Sequence, residues 1–254
     1  MTDLKEKLHK KELTIGSWLT IGNCIVAEIM ANSGFDWLAI DMEHSAITIE
    51  ITQDIIRAVK LSGTTPLVRV CCNEPTTIKK VMDAGSSGVI VPMVNSREEA
   101  ERAVGSVKYP PSGFRGVGLA RAQEYGADFE SYRDWNQKNS IVIVQIEHIN
   151  AVQQLEEILQ VDGVDGYLVG PYDLSASLGH PGQFNHPSVI EAMQHIEKIA
   201  VATGALSGFH VISPEIEPLQ EKIAQGYRFL AHSLDILYLG NTCRKITKKY
   251  SELR

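Results

Sequence analysis

Cysteine is scarce in this chain. Its four cysteines in 254 residues, Cys24, Cys71, Cys72 and Cys243, show no Cys-x-x-Cys or Cys/His spacing. Zinc sites and redox pairs depend on such spacings, so neither is expected. Free thiols at this frequency are typical of a reducing compartment, and we expect a cytoplasmic protein.

Long apolar runs and basic clusters are also missing. The N-terminal MTDLKEKLHKKEL is charged throughout, and no long apolar stretch follows it. Neither a signal peptide nor a membrane span is therefore expected. The formal net charge is −7, and the basic residues concentrate only in the C-terminal RKITKKYSELR. We expect neither nucleic acid nor a membrane surface as partner.

The chain does contain short apolar runs of strand length that alternate with segments of helical periodicity. The eight strand candidates are LTIGSWLTI, FDWLAID, TPLVRV, SGVIVPMV, IVIVQIE, DGYLVG, GALSGFHV and YRFLAHS. The eight helix candidates are CIVAEIMAN, ITQDIIRAVKLS, TTIKKVMDA, SREEAERAVGSV, AVQQLEEILQ, HPSVIEAMQHIEKIAVA, PEIEPLQEKIAQ and a last helix from about Asp235.

The joints from helix to strand share one form. A glycine follows the helix shortly before the strand in NSGFDWLAI, DAGSSGVIV, VDGVDGYLV and AQGYRFLAH. Glycine ends helices readily, so these joints indicate a repeated αβ unit. Eight such units predict a (β/α)8 TIM barrel that forms a single domain over residues 1–254. A doubly wound open sheet is the alternative, but no glycine-rich dinucleotide fingerprint follows the first strand.

Two connections are too long for simple turns. Residues 106–140 precede the fifth strand, and we expect them to wrap around the barrel or to reach a neighbouring subunit. The segment GPYDLSASLGHPGQFN follows the sixth strand. It leaves the carboxyl end of that strand, where barrel enzymes place their chemistry.

Two acidic residues lie just past the ends of apolar strands. Ile141, Ile143, Gln145 and Glu147 share one face of the fifth strand because strand side chains alternate. Asp173 follows the sixth strand. Alone, each acid could cap a helix or a turn. Together they predict the ligands of a divalent metal.

Other polar residues belong to the same ends of the predicted barrel. Arg69 is flanked by apolar residues in the third strand, so it needs an anionic partner. That partner is either a barrel acid in a structural ion pair or a negatively charged substrate oxygen. His44 follows Asp41 by three residues and could exchange protons beside that carboxylate. A polar turn residue is the alternative for His44.

These segments resemble one known family. GSWLTIGN, FDWLAIDMEH, PLVRV, GVIVPMVNSREEA, YPPSGFRGVG, QIE, VDGYLVGPYDLSASLG and GYRFLA are similar, in this order, to the HpcH/HpaI aldolases. The resemblance runs from about Gly16 to Leu239. It implies a (β/α) barrel whose last helix is exchanged between subunits of a homo-oligomer, typically a hexamer.

The resemblance also implies roles for individual residues. Glu147 and Asp173 match the metal ligands, Arg69 matches the arginine at the pyruvyl oxygen, and His44 with Asp41 matches the acid–base dyad. The pyruvate-binding wall matches Gln145 and the backbone of Gly170, Pro171, Tyr172 and Asp173. The chain departs from the family pattern at His148, at Tyr172 and in the segment AHSLDILYL after the last strand.

The implied reaction is the reversible cleavage of a 4-hydroxy-2-oxo acid to pyruvate and an aldehyde. A metal held by oxygen ligands would be Mg or Mn, with Co or Zn as alternatives. None of the predicted strands contains a lysine, which argues against a Schiff-base route. There are two alternative functions. One is a citrate-lyase-β or malyl-CoA-lyase-like enzyme acting on a CoA thioester, and the other is a barrel that binds a 2-oxo acid without turnover.

Overall fold

The computed structural model describes residues 4–250. The prediction of one domain over residues 1–254 also covers 1–3 and 251–254, which lie outside the described residues. Eight parallel strands form a closed barrel in chain order, and the last strand pairs with the first. The strands are β1 Thr14–Leu19, β2 Trp37–Asp41, β3 Thr65–Arg69, β4 Gly88–Val91, β5 Ile141–Ile146, β6 Gly166–Val169, β7 Ser207–Val211 and β8 Phe229–Leu234. The (β/α)8 prediction is confirmed, and the open sheet is wrong.

Helices surround the barrel and include more segments than the sequence indicated. They are α1 Leu4–His9, α2 Cys24–Ala31, α3 Ile49–Leu61, α4 Pro75–Asp83, α5 Arg97–Val107, α6 Phe129–Asn139, α7 Ile149–Gln153, α8 Leu155–Leu159, α9 Pro171–Ser177, α10 Pro187–Thr203, α11 Ile216–Ala224 and α12 Asp235–Tyr250. The expected helix AVQQLEEILQ is broken at Gln154 into α7 and α8. Within residues 4–250, no helix is long and apolar enough to cross a membrane.

The barrel interior is filled by large apolar side chains. Trp37 and Phe229 stack with ring centroids 4.2 Å apart. Trp37 needs the space that Gly16 leaves, since a Cβ on Gly16 would lie 2.1 Å from the indole. Leu4 and Leu8 of α1 pack into this interior cluster. A second, larger core contains apolar residues of the strands and of the surrounding helices.

The segment 106–140 packs against its own barrel. It contains a 3-10 helix, Arg121–Gly126, followed by α6. Arg115 is buried, and its guanidinium lies 2.5 Å from Asp83 at the end of α4 and 3.0 Å from the Tyr132 hydroxyl. Of the two expected courses for this segment, the structure shows the one around the barrel.

Candidate active site

Arg69 and Asp41 form a buried ion pair at the carboxyl ends of two neighbouring strands. They are register partners of β3 and β2. Nε of Arg69 donates to Oδ1 of Asp41 at 2.9 Å, and Nη2 donates to Oδ2 at 2.7 Å. The guanidinium carbon lies 4.4 Å from the centre of the Trp18 ring. The ion pair fixes the guanidinium plane, and Nη1 makes no hydrogen bond within the described chain.

The charge of Asp41 is stabilised by this pair. Burial alone would raise the pKa of Asp41, but the hydrogen bonds and charge of Arg69 lower it overall. Backbone N–H groups of Glu43 and His44 donate to Oδ1 at 3.0 and 3.2 Å and act in the same direction. Asp41 is therefore a fixed anion that holds both the arginine and the following loop.

His44 is oriented differently from the predicted side-chain dyad. Asp41 contacts the backbone N–H of His44, not its ring. The imidazole Nε2 lies 3.6 Å from Oε2 of Glu43, and the His44 side chain is 62% exposed. Glu43 is thus the carboxylate that the ring faces, whereas Asp41 positions the histidine through the backbone. The sequence gives one sign of this, the adjacency of Glu43 and His44.

Glu147 lies directly after β5 and is buried at 3% exposure. Its Oε1 accepts the backbone N–H of Met93 at 2.7 Å, and its Oε2 accepts the side-chain amide of Gln145 at 2.7 Å. It does not cap the following helix, because the N-cap of α7 is His148, whose side chain accepts from Asn150. Glu147 is therefore held rigidly, with each oxygen keeping a free lone pair.

Asp173 lies in the first turn of α9, whose N-cap is Gly170 and which has no side-chain cap bond. The alternative that Asp173 caps the PYDLS turn is thus not seen. Its charge raises the pKa of both Glu43 and Glu147. A Cβ on Gly170 would lie 2.7 Å from Oε2 of Glu147, so only glycine leaves that oxygen uncovered.

Negative charge is in excess at this mouth of the barrel. Burial raises the pKa of Glu147 to about 7, and the charges of Glu43 and Asp173 add to the effect. Burial likewise raises the pKa of Glu43 to about 7, with Asp41 and Asp173 contributing. The positive charge of Arg69 lowers the pKa of both groups in part. Crowded carboxylates of this kind favour a bound cation.

Two further polar atoms of the mouth are buried without a hydrogen bond, although Glu43 Oε2 lies 3.4 Å from Nε of Arg69. Within residues 4–250, Oε1 of Gln145 and Oε2 of Glu43 accept no hydrogen bond. The same residues contain no group of three or more His, Cys, Asp or Glu side chains that could hold a metal ion. Glu147 and Asp173 could supply two carboxylate oxygens to a divalent cation, with its other positions open to water or substrate oxygens.

The substrate-wall residues predicted from the resemblance lie beside the carboxylates that are predicted to bind a metal. Gln145 is buried against Glu147, and Gly170 to Asp173 form the turn into α9. The Tyr172 ring is 51% exposed and meets Phe184 edge-on at 4.9 Å. Tyr172 and Phe184 together present an aromatic edge at the rim of the barrel.

Sequence reasoning missed three contributors to the site. Trp18 supplies the ring beneath Arg69, Glu43 faces His44, and the Met93 backbone supports Glu147. Met93 has φ +52°, a conformation rare outside glycine, which aims its N–H at the carboxylate. Nothing in the residue type at position 93 signals this role.

Known proteins resemble this chain along nearly its full length. A family model described as HpcH/HpaI aldolase/citrate lyase matches residues 14–241. The chain is 37% identical to the 5-keto-4-deoxy-D-glucarate aldolase of Shigella dysenteriae, over 98% of this chain and 96% of the relative. It is 36% identical to the hydroxypyruvate/pyruvate aldolase of Roseobacter denitrificans, over 99% and 98%. A crystal structure of an HpcH/HpaI aldolase/citrate lyase family protein from Burkholderia cenocepacia superposes with a TM-score of 0.92 at 32% identity, with 98% of each chain covered.

Proposed function

We propose that this chain, which belongs to the HpcH/HpaI aldolase/citrate lyase family and is a carbon–carbon lyase of the aldolase type, cleaves a 4-hydroxy-2-oxo acid to pyruvate and an aldehyde. The observation that carries the proposal is the arrangement of Glu147, Asp173 and Arg69 at one mouth of the barrel. Two acids and one fixed guanidinium suit the carboxylate and oxo groups of a 2-oxo acid.

We assign Glu147 and Asp173 as the residues that hold a divalent metal, Mg or Mn in preference to Co or Zn. Such a metal, when bound, acts as a Lewis acid on the oxygens of a 2-oxo acid. Gln145 and the Met93 N–H fix the Glu147 carboxylate. The open side of Gly170 keeps that carboxylate accessible.

His44, Arg69 and Asp41 carry out the other steps of the proposed reaction. His44 accepts the proton of the C4 hydroxyl, the C3–C4 bond breaks, and C4 becomes the aldehyde carbonyl. The electron pair moves to C3 and C2 as an enolate, whose oxygen is stabilised by the free Nη1 edge of Arg69. The proton that His44 accepted then returns to C3 and completes pyruvate. Asp41 keeps the guanidinium in place throughout.

We also propose that the chain is a homo-oligomer, a hexamer as the resemblance implies, in which α12 is exchanged between subunits. Of the residues of α12, only Asp235 is buried. Ile236, Leu239 and Ile246 are each about half exposed, at 49%, 59% and 49%. A helix with exposed apolar side chains on one face is supported best by a partner surface.

The experiment for the reaction measures pyruvate release with coupled lactate dehydrogenase from a panel of 4-hydroxy-2-oxo acids. Each assay is run with EDTA and with added Mg or Mn. Metal-dependent release is expected, and the panel ranks the aldehyde products. Asp173→Ala should lose metal affinity in calorimetry, whereas Asp134→Ala, an exposed aspartate of α6, is the matched control.

Metal binding without pyruvate release across the panel would favour a thioester lyase or a binding protein. A thioester substrate would then release a CoA ester under the same conditions. Retained metal affinity in Asp173→Ala would remove Asp173 from the ligand set.

A further inference from the structure

Two adjacent cysteines lie just after Arg69. β3 ends at Arg69, and Cys71 and Cys72 belong to the short connection from β3 to α4. Their Sγ atoms are 3.7 Å apart. Side chains of adjacent residues point to opposite sides of an extended chain, so the two sulfurs meet because the chain bends at these residues. We call Cys71 and Cys72 the dithiol.

The backbone that carries the dithiol is held on both sides. Before it, the N–H of Val70 donates to the carbonyl of Ile90 in β4 at 3.1 Å. After it, Nδ2 of Asn73 donates to the carbonyl of Glu99 in α5 at 2.8 Å. These two anchors fix the ends of a connection only a few residues long. The two thiols are therefore kept together without any bond between them.

Both thiols are free and accessible. Cys71 is exposed and Cys72 is half-buried. The Cys72 sulfur lies 4.0 Å from the Thr77 hydroxyl, in the first turn of α4. The N-cap of α4, Glu74, makes no side-chain cap hydrogen bond. A helix N-terminus favours negative charge, and the thiolate is the form of cysteine that binds metals.

The distance between the two sulfurs suits one shared cation. Zinc–sulfur bonds of about 2.3 Å in tetrahedral geometry place two thiolate sulfurs about 3.8 Å apart. The 3.7 Å separation already meets this requirement. A disulfide requires an S–S distance of about 2.05 Å and Cα atoms at least about 4.4 Å apart. Adjacent Cα atoms are only about 3.8 Å apart, so the arrangement favours chelation over a disulfide.

The electrostatics of the dithiol also favour a cation. Burial, and next the hydrogen bond and charge of Cys72, raise the pKa of the Cys71 thiol. A cation placed between the sulfurs offsets this mutual repulsion. On binding, two S–H bonds break, two metal–sulfur bonds form and two protons leave to the solvent. The step needs no oxidant and no reductant.

A buried oxygen in the same connection has no partner. Within residues 4–250, Oδ1 of Asn73 accepts no hydrogen bond. Buried acceptors are normally paired, so this oxygen indicates a ligand such as a cation-bound water. In the same part of the chain, no group of three or more His, Cys, Asp or Glu side chains could hold a metal ion. The dithiol therefore supplies two ligands and leaves the other positions open.

We propose that the dithiol of Cys71 and Cys72 is a binding site for a soft, thiophilic cation of the Zn²⁺ and Cd²⁺ type. It is separate from the carboxylates of Glu147 and Asp173, which follow β5 and β6 rather than β3. Thiolates select soft cations, whereas carboxylates suit Mg²⁺ and Mn²⁺. The barrel mouth then sorts two classes of cation, and added zinc occupies the thiols before the carboxylates.

The test titrates the full chain, reduced and metal-free, with Cd²⁺ as the probe. Cadmium bound to thiolates gives an ultraviolet charge-transfer band that carboxylates do not give. In the wild type the band should saturate at one Cd²⁺ per chain and persist in excess Mg²⁺. Cys71→Ser and Cys72→Ser should each weaken binding by at least about 100-fold, because a lost ligand costs more than a lost supporting group.

The matched control is the double variant Cys24→Ser, Cys243→Ser. It removes the two other exposed cysteines and keeps the dithiol, so it should titrate as the wild type does. A second readout needs no variant: one equivalent of Cd²⁺ should protect two of the four thiols of the wild type from a thiol-specific reagent. This readout remains decisive if a serine variant of the dithiol does not fold.

The inference is overturned by a wild type without the band, or by a band that keeps its affinity in Cys71→Ser or Cys72→Ser. Loss of the band in the control variant would assign the cation to other cysteines and overturn it as well. Saturation at one Cd²⁺ per two chains would place the site between subunits, with the same consequence. None of these readouts uses pyruvate release, so they are independent of the proposed function.

Discussion

At the scale of single residues, two carboxylates contact different parts of His44: Asp41 the backbone and Glu43 the ring. Asp41 accepts hydrogen bonds from Arg69 and from two backbone N–H groups, and the imidazole of His44 is not among its partners. Glu43 faces the ring at 3.6 Å. The His44 side chain is 62% exposed at the barrel mouth, and in the proposed reaction it passes protons between substrate and water. Its contribution can therefore be measured without disturbing Glu147 and Asp173, the proposed metal ligands.

We expect His44→Ala to lower turnover by about two to four orders of magnitude, as for loss of an acid–base group. Its affinity for Mn, measured by calorimetry, should match that of the wild type because Glu147 and Asp173 are untouched. His195→Ala, on the exposed surface of α10, is the control. A rate near normal in His44→Ala would assign the proton transfer to another group.

Glu147 makes a pH-dependent contribution to stability. Its pKa is raised from 4.5 to about 7 in the folded chain, chiefly by burial. The folded state therefore holds this proton more tightly than the unfolded state does. The contribution is favourable below about pH 4.5 and is lost as pH rises toward 7. Glutamine at this position has no such proton.

The stability of Glu147→Gln relative to wild type should accordingly improve between pH 5 and pH 7.5, by on the order of 2 kcal/mol in metal-free protein. Urea unfolding in EDTA at the two pH values measures this. The substitution also changes the hydrogen bonds that Glu147 accepts from Gln145 and Met93. Their effect on stability is the same at both pH values, so it cancels when the two values are compared. Glu130→Gln, at an exposed position of α6, should show no trend. A pH-independent difference would contradict the raised pKa.

The residues that sequence reasoning found share a simple property. Asp41, Arg69 and Glu147 end or follow strands in which alternation alone assigns the inward face. Trp18 obeys the same alternation, but its position beneath Arg69 depends on a contact between β1 and β3, which are not adjacent in the chain. The orientation of His44 depends on how a loop turns after β2. Such contacts are set by barrel closure and are invisible in local patterns.

At the scale of elements, buried strands were predictable and polar connections were not. The eight apolar runs each became a strand, because parallel barrel strands are covered on both faces. The helix α6 escaped prediction because its sequence, FESYRDWNQKN, is mostly polar and has one buried residue, Asn136. No glycine or proline in the sequence predicts the break at Gln154. Tertiary packing decides these segments, not local propensity.

The first turn of α12 is attached to the barrel through Asp235. Its buried carboxylate accepts the backbone N–H groups of Thr20 and Ile21 at 2.8 and 2.7 Å and the Thr20 hydroxyl at 2.6 Å. It also accepts the N–H of Ile236 at 2.8 Å. We expect Asp235→Ala to lower the free energy of unfolding by about 2–4 kcal/mol, since several buried donors lose their partner.

Urea unfolding measures the Asp235 effect, with Asp134→Ala at an exposed site as control. Asp235→Asn keeps one acceptor oxygen and should cost less than alanine. A loss below about 0.5 kcal/mol in Asp235→Ala, the range of ordinary surface substitutions, would show that water replaces the carboxylate at no cost.

At the scale of the whole molecule, α12 is the feature that a single barrel leaves unexplained. Asp235 fixes its first turn to the barrel, yet Ile236, Leu239, Ile246 and Tyr250 repeat at helical spacing with about half of each side chain exposed. A cavity of about 400 Å³ also opens between α2 and the start of α12, lined mostly by apolar residues such as Ile29, Phe35 and Leu239. Both features favour coverage by another copy of the chain.

If α12 is exchanged, charge on its apolar face should dissociate the assembly. We expect analytical ultracentrifugation to give an oligomer for the wild type and a smaller species for the Leu239→Asp, Ile246→Asp double variant. Burying two carboxylates in an apolar interface costs several kcal/mol, which outweighs a typical contact. Val201→Asp is the matched control, because Val201 is an apolar residue of α10 that is 84% exposed. A monomeric wild type, or an unchanged mass in the double variant, would exclude α12 as the assembly element.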